Sequence, residues 1–270
     1  MEVKEHFYAD DPSRGPVDGR TSLEGAEYFF LGNGLVQAAV QVAPAAGATP
    51  AGLLIMDPER FGPKRAALTF DAGTGLAATA VALVADGRTF TARAGAVRSR
   101  WALECPYPKV ELRWSAGPLA VAEELFCPDA RTARLLRRVT VSPRAGGGGG
   151  GRRVRLRTGL PGRSVETSLA LSPGAAKTAV FEYRLRRRGE RSALALRVVP
   201  DPGEPAGAAS AWAGTATVRC RDPRLDRFFA ASKYQLRAAA SATGRLDGGI
   251  WQYNLEWVRD QAFVALALAM

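Results

Sequence analysis

The chain is predicted to fold as a mainly β protein, a large antiparallel β-sandwich with helices after it. Three observations lead there. From about Glu27 to Val218, short apolar or alternating runs are separated by turn residues, the pattern of a sandwich or barrel. Those runs are too many for a seven-stranded immunoglobulin-like domain, so two large facing sheets are the natural solution. After Gly203-Glu204-Pro205-Ala206-Gly207 the apolar period changes from that of a strand to that of a helix.

Taken in order, Tyr28–Leu31 and Leu35–Val42 flank Gly32-Asn33-Gly34, an Asn-Gly turn of the kind that closes hairpins. Ala51–Met56, Ala78–Val84 and Thr89–Arg93 follow, with Asp86-Gly87 as a second hairpin turn between the last two. Further strands are read at Val97–Leu103, Val110–Trp114, Leu119–Phe126, Ala133–Val141 and Val154–Thr158. Val165–Leu171, Phe181–Arg186, Leu194–Val199 and Thr215–Arg219 complete the series. In Arg153-Val154-Arg155-Leu156-Arg157 the arginines alternate with apolar residues, which predicts one solvated face. Gly146–Gly151 reads as a hairpin tip rather than a domain linker, and no Lys-Ser/Thr or helix start follows it to make a phosphate loop.

Asp222-Pro223 has the form of a helix N-cap with proline at the first helical position. Leu225, Phe228, Phe229, Ser232 and Leu236 then recur at helical spacing to about Ser241, and Gly244 is read as the stop. A second helix, apolar on most sides, is predicted from about Glu256 to Met270; such a helix needs partners on most sides.

With 270 residues, 47% of them hydrophobic, the chain can bury a sizeable core. No signal-like apolar run opens it, and no window of 18 apolar residues could span a membrane. Cys105, Cys127 and Cys220 are too few and too widely spaced for a disulfide framework or a zinc site, so a reducing cytoplasm is the expected compartment. The net charge of +11 invites a nucleic-acid reading. Charge alone specifies no binding fold, and the basic residues are nearly all arginine in a chain rich in Ala, Gly and Pro, so no nucleic-acid partner is expected.

The sole histidine, His6, lies near the start of the chain, which argues against a Ser-His-Asp triad, a Cys-His pair and histidine metal sites. No metal or organic cofactor is expected. Carboxylates remain, and paired carboxylates are the machinery of glycoside chemistry. The densest cluster of functional residue types is Gly248-Gly249-Ile250-Trp251-Gln252-Tyr253-Asn254-Leu255-Glu256-Trp257-Val258-Arg259-Asp260. Flat aromatic faces meet the C–H surface of a sugar, while Arg and Asp grip hydroxyls with charge-assisted hydrogen bonds. A structural alternative is a core aromatic beside an Arg-Asp ion pair at a helix start, where aspartate is favourable in any protein.

The stretch resembles the start of the catalytic domain in six-hairpin glycosidases of the glucoamylase type, in which an aromatic-rich loop reaches a Trp-x-Arg-Asp motif. The resemblance implies a supersandwich-like β domain at 1–218 and the first helices of a truncated α/α barrel at 219–270. It implies that Tyr253, Trp257, Arg259 and Asp260 shape the subsite for the non-reducing-end sugar. Leu31-Gly32-Asn33-Gly34 similarly resembles a segment of the related maltose and trehalose phosphorylase sandwiches, without a direct catalytic role there. The family's acid and base glutamates fall on later helices and loops, so no catalytic residue is assigned here, Glu256 included. The expected function is the N-terminal portion of an inverting glycoside hydrolase acting on α-glucosidic oligo- or polysaccharide, with carbohydrate as partner. A disaccharide phosphorylase is the close variant, and a non-catalytic sandwich binding carbohydrate or a partner protein is the reading from another class.

Overall fold

A computed structural model of the chain describes residues 25–44, 49–60, 68–71, 75–144 and 151–246. Thirteen strands and two α-helices lie among them. Strands β1 (Glu27–Gly32), β2 (Gln37–Val42) and β3 (Ala51–Met56) form a three-stranded sheet in that order. A second sheet has the order β11-β10-β4-β5, from β4 (Ala82–Ala85), β5 (Arg88–Thr91), β10 (Arg152–Leu160) and β11 (Arg163–Leu171). The third, ordered β13-β12-β9-β8-β7-β6, contains β6 (Arg98–Trp101), β7 (Val110–Ala116), β8 (Leu119–Phe126), β9 (Arg134–Pro143), β12 (Lys177–Arg188) and β13 (Arg191–Val199). Every strand pairing is antiparallel.

The alternation of residues decides which face each strand buries. In β7, Val110, Leu112, Trp114 and Ala116 point inward while Arg113 and Ser115 are exposed. In β10, Val154 and Leu156 are buried and Arg153, Arg155 and Arg157 exposed, as the alternating arginines require. Inward residues of all three sheets, among them Leu53, Leu83, Leu112, Val139, Leu156 and Phe181, join one hydrophobic cluster. The architecture is therefore β-rich and sandwich-like around a shared core. Strands β2 and β3 are buried at every position because their second face has its own cover, a cluster of Ala39, Leu54, Met56 and Leu76.

Asp86-Gly87 closes the β4–β5 hairpin as a two-residue turn, with both residues at positive φ (50° and 73°). Three sequence readings need correction. Ala78 and Thr79, read as the start of a strand, lie in a single 3-10 turn, Ala77–Thr79. Thr215–Arg219 is irregular and exposed, because no strand among the described residues offers it a ladder. Strands β9 and β10, which flank the glycine-rich stretch, belong to different sheets and do not pair, so they are not the arms of one hairpin.

Helix α1 (Ala206–Trp212) falls where the sequence reading placed no element, only a change of apolar period. Helix α2 (Pro223–Ala239) begins as the sequence requires, with the Asp222 side chain accepting from the Arg224 amide and proline in the first turn. It ends at Ala239 rather than at Gly244, which instead sits at φ +85° in the following turn. The predicted second helix lies outside the described residues. Among those described, no helix is long and apolar enough to cross a membrane.

Candidate functional site

Tyr253, Trp257, Arg259 and Asp260, the residues assigned to sugar contact, lie outside the described residues, so their geometry is not on view. What the structure does place is α2, the helix that precedes them, and the surface that receives it.

That surface is built on the turn between β1 and β2, where each residue of Gly32-Asn33-Gly34 has its own reason. Gly32 admits the backbone of α2: a Cβ there would stand 3.0 Å from both the Cα and the carbonyl oxygen of Ala238. Asn33 faces two ways. Its Oδ1 accepts from the amides of Leu35 and Val36 at 3.0 and 3.1 Å, closing the turn. Its Nδ2 donates to the carbonyls of Asp129 and Thr132 at 2.7 and 2.8 Å, fastening the turn to the β8–β9 loop. Gly34 sits at φ +86°, where side chains are strained, and a Cβ would meet the Ala242 nitrogen at 3.0 Å. Its carbonyl accepts from that same Ala242 amide at 2.7 Å. Sequence reading identified the hairpin turn but missed the docking. The signal was Gly32, a glycine the turn does not need and close backbone approach does.

An aromatic series continues the joint. Phe29 meets Trp101 edge-on at 5.9 Å, Trp101 meets Tyr234 of α2 at 6.0 Å, and Tyr234 meets Trp212 of α1 edge-on at 4.6 Å. Such pairs contribute about 0.5–1.5 kcal/mol each beyond burial. The Lys233 ammonium lies 5.4 Å from the Tyr234 ring centre and donates to Thr215 Oγ1 and Ala216 O at 3.0 and 2.9 Å. After α2, Thr243 Oγ1 donates to Glu59 Oε2 at 2.6 Å and Arg245 Nη1 to the Glu59 carbonyl at 3.2 Å, clipping the next turn to the end of β3. The chain is thus held on both sides of α2 up to Leu246, two residues before Gly248.

Between the Asn33 turn, the β8–β9 loop, α1 and α2 lies a cavity of about 140 Å³, whose lining includes Leu31, Cys127, Asp129, Trp212 and Arg237. Burial raises the Asp129 carboxyl, but the Thr132 hydroxyl, Arg134 and the amides of Arg131 and Thr132 outweigh it and hold the group below the usual aspartate range. Burial, with the Asp129 charge adding to it, pushes the Cys127 thiol up to about 12, so the thiol stays protonated and unreactive at neutral pH. Burial lowers the pKa of Arg237.

The buried carboxylates of the sandwich are held by arginines. Asp57 accepts from Arg187 Nε and Nη2, Glu123 from Arg137 Nε, and Glu182 from Arg134 and Arg197. A general acid must hold a proton near neutral pH. Asp57 does the opposite: burial raises it, but Arg187, Ser192 and the Glu59 amide together hold it below the ordinary value. These groups fasten strands together. The three cysteines are free thiols.

Compared with known protein families, curated proteins and solved structures, the chain matches none.

Proposed function

We propose that this chain is the N-terminal portion of an inverting, glucoamylase-like glycoside hydrolase acting on α-glucosidic oligo- or polysaccharide. The β-sandwich is its platform, and 219–270 begins the sugar-binding domain. The observation that carries the reading is the fastening of α2: Gly32 and the Asn33 carbonyl receive the helix, the Gly34 carbonyl and Glu59 hold the turn after it, and the chain then enters the aromatic and charged stretch Gly248–Asp260. A pocket that must hold a sugar to within a fraction of an ångström needs a rigid lead-in of this kind. In this reading Arg259 and Asp260 bond hydroxyls of the terminal ring, and Tyr253 and Trp257 wall the subsite. The acid that protonates the leaving oxygen and the base that activates water are residues outside this chain.

The test has two parts. The reading frame past Met270 is expected to encode further amphipathic helices with two well-separated glutamates. In the resulting longer protein, Asp260→Asn is expected to lower kcat/KM on malto-oligosaccharides by about 10- to 150-fold, the loss of one charge-assisted hydrogen bond of about 1.5–3 kcal/mol. Its melting temperature should stay near that of the parent. A lowered melting temperature with unchanged kcat/KM would make the motif a structural ion pair and refute the assignment. An authentic stop codon, with maltotriose binding by the chain alone, would favour the non-catalytic binding module.

A further inference from the structure

The cavity beside Asn33 has the size and chemistry of a binding site in its own right. A dry cavity of about 150 Å³ accommodates benzene. At about 140 Å³, this one has room for a ligand of about six non-hydrogen atoms, about half a hexose. Ala130, Ala211 and Thr215 of its lining are exposed to solvent, which puts the opening on their side.

The walls divide by chemistry. Leu31, Pro108, Ala208 and Trp212 make an apolar side, and Arg237 supplies a cationic end. Arg237 donates from Nη1 to the Ala240 carbonyl at 3.0 Å and from Nη2 to the Asn33 carbonyl at 3.4 Å. A guanidinium has five N–H groups. The remaining three meet no acceptor among the described residues, and no carboxylate among them pairs with this arginine. Asp129 shares the wall, but its oxygens are occupied by Thr132, Arg134 and two backbone amides. The Cys127 thiol is neutral. The Asp129 charge is thus taken up by Arg134, and Arg237 is left with donors to spare and no carboxylate partner among the described residues.

We propose that this pocket binds a small monocarboxylate of about three to five carbons, its carboxylate on the free edge of Arg237 and its aliphatic end against Leu31 and Trp212. A phosphate fits less well, because a dianion with four oxygens would face one guanidinium and an apolar wall. A peptide C-terminus shares the carboxylate chemistry but brings a body larger than the cavity. The inference is independent of the glycosidase reading.

Butyrate titrated into the full chain, with the Trp212 indole N–H followed by NMR, is expected to give a saturable shift that inorganic phosphate and N-acetyl-alanyl-leucine do not reproduce. Arg237→Gln removes the cation, and Ala211→Leu narrows the mouth without touching Arg237. Each should weaken butyrate binding about tenfold or more. Where Arg237→Gln loosens α2, as the indole and amide spectra would show, Ala211→Leu decides alone. A non-saturating response, an equal response to phosphate, or unchanged affinity in Ala211→Leu overturns the proposal. Tighter binding of the acylated dipeptide than of butyrate overturns the assignment to a small free carboxylate.

Discussion

The side-chain amide of Asn33 donates to the carbonyl of Asp129, 96 residues away in sequence, at 2.7 Å. With its second bond to the Thr132 carbonyl, it joins a hairpin of the three-stranded sheet to a loop of the six-stranded one. Donation is the property that matters. Asn33→Ala leaves two carbonyls without a partner and is expected to cost about 1–3 kcal/mol in urea unfolding. Asn33→Asp keeps the bonds from Leu35 and Val36 but points acceptors at acceptors beside the Asp129 carboxylate, so it should destabilise at least as much as alanine. A neutral Asn33→Asp would show that the turn, not the inter-sheet bond, is the function of this residue.

Gly32 predicts a different kind of failure. An alanine methyl would lie 3.0 Å from the backbone of Ala238 and 3.2 Å from the Val36 carbonyl, with no side chain free to yield. Overpacking of this sort costs about 1–3 kcal/mol. The damage should be local: hydrogen exchange is expected to quicken across Tyr234–Ala239 of α2 while the amides of β7, β8 and β9 keep their protection. Uniform loss of protection would mean that helix and sandwich unfold as one unit.

The strands were legible where burial alternates or where an apolar run is bounded by turns. Strand β8 falls at Leu119–Phe126 as read, and β3 at Ala51–Met56. Length was less legible. Strand β12 runs from Lys177 to Arg188, well beyond the apolar centre that marks it, because pairing with β9 and β13 extends the ladder through Arg184, Arg186 and Arg187. Helix α1 was missed because Gly207 follows its first residue and seven residues are too few for a periodic signal, although Pro205 before an alanine-rich run is a helix-start pattern. Thr215–Arg219 has strand composition, yet strand formation depends on a partner that sequence does not name. The Asn33 turn was visible as a turn; its role in receiving α2 depends on contacts across 96 to 206 residues of chain, which local patterns cannot encode.

A buried ion pair ties the two larger sheets. Arg137 of β9, fully buried, donates from Nε to Glu123 at 2.6 Å and from Nη1 to the Thr79 carbonyl at 2.5 Å, while Trp114 Nε1 donates to the other oxygen of Glu123 at 2.6 Å. The Thr79 carbonyl also accepts from Thr158 of β10 at 3.0 Å, which completes the link between sheets. Removing one charge leaves the other uncompensated, so Glu123→Leu or Arg137→Met is expected to cost about 3–5 kcal/mol. The double variant Glu123→Leu/Arg137→Met should lose less than the sum of the single changes, because the desolvation penalty leaves with the pair. Strict additivity in denaturant unfolding would mean that the two charges are not coupled.

Asp57 sets a pH dependence whose sign follows from its environment. It is fully buried, and although burial raises its carboxyl, Arg187, Ser192 and the Glu59 amide bring it below the ordinary value. A carboxyl with a depressed folded-state pKa binds protons less readily in the native chain than in the unfolded one. The stabilisation is complete above the unfolded value, near 3.9, and is lost as pH falls from there through the folded value. Asp57→Asn keeps the shape but not the charge, and at neutral pH it should cost about 1.5–3 kcal/mol, the worth of hydrogen bonds to a charged group. The difference between parent and variant is then expected to stay constant from pH 7 to about pH 5 and to shrink below about pH 4. Taking that difference cancels the other carboxylates, Asp129 and Glu124 among them, whose pKa values are lowered in the same direction. Thermal melts of both proteins across this range make the measurement, and a difference that does not change with pH would mean that the Asp57 charge contributes nothing to the fold.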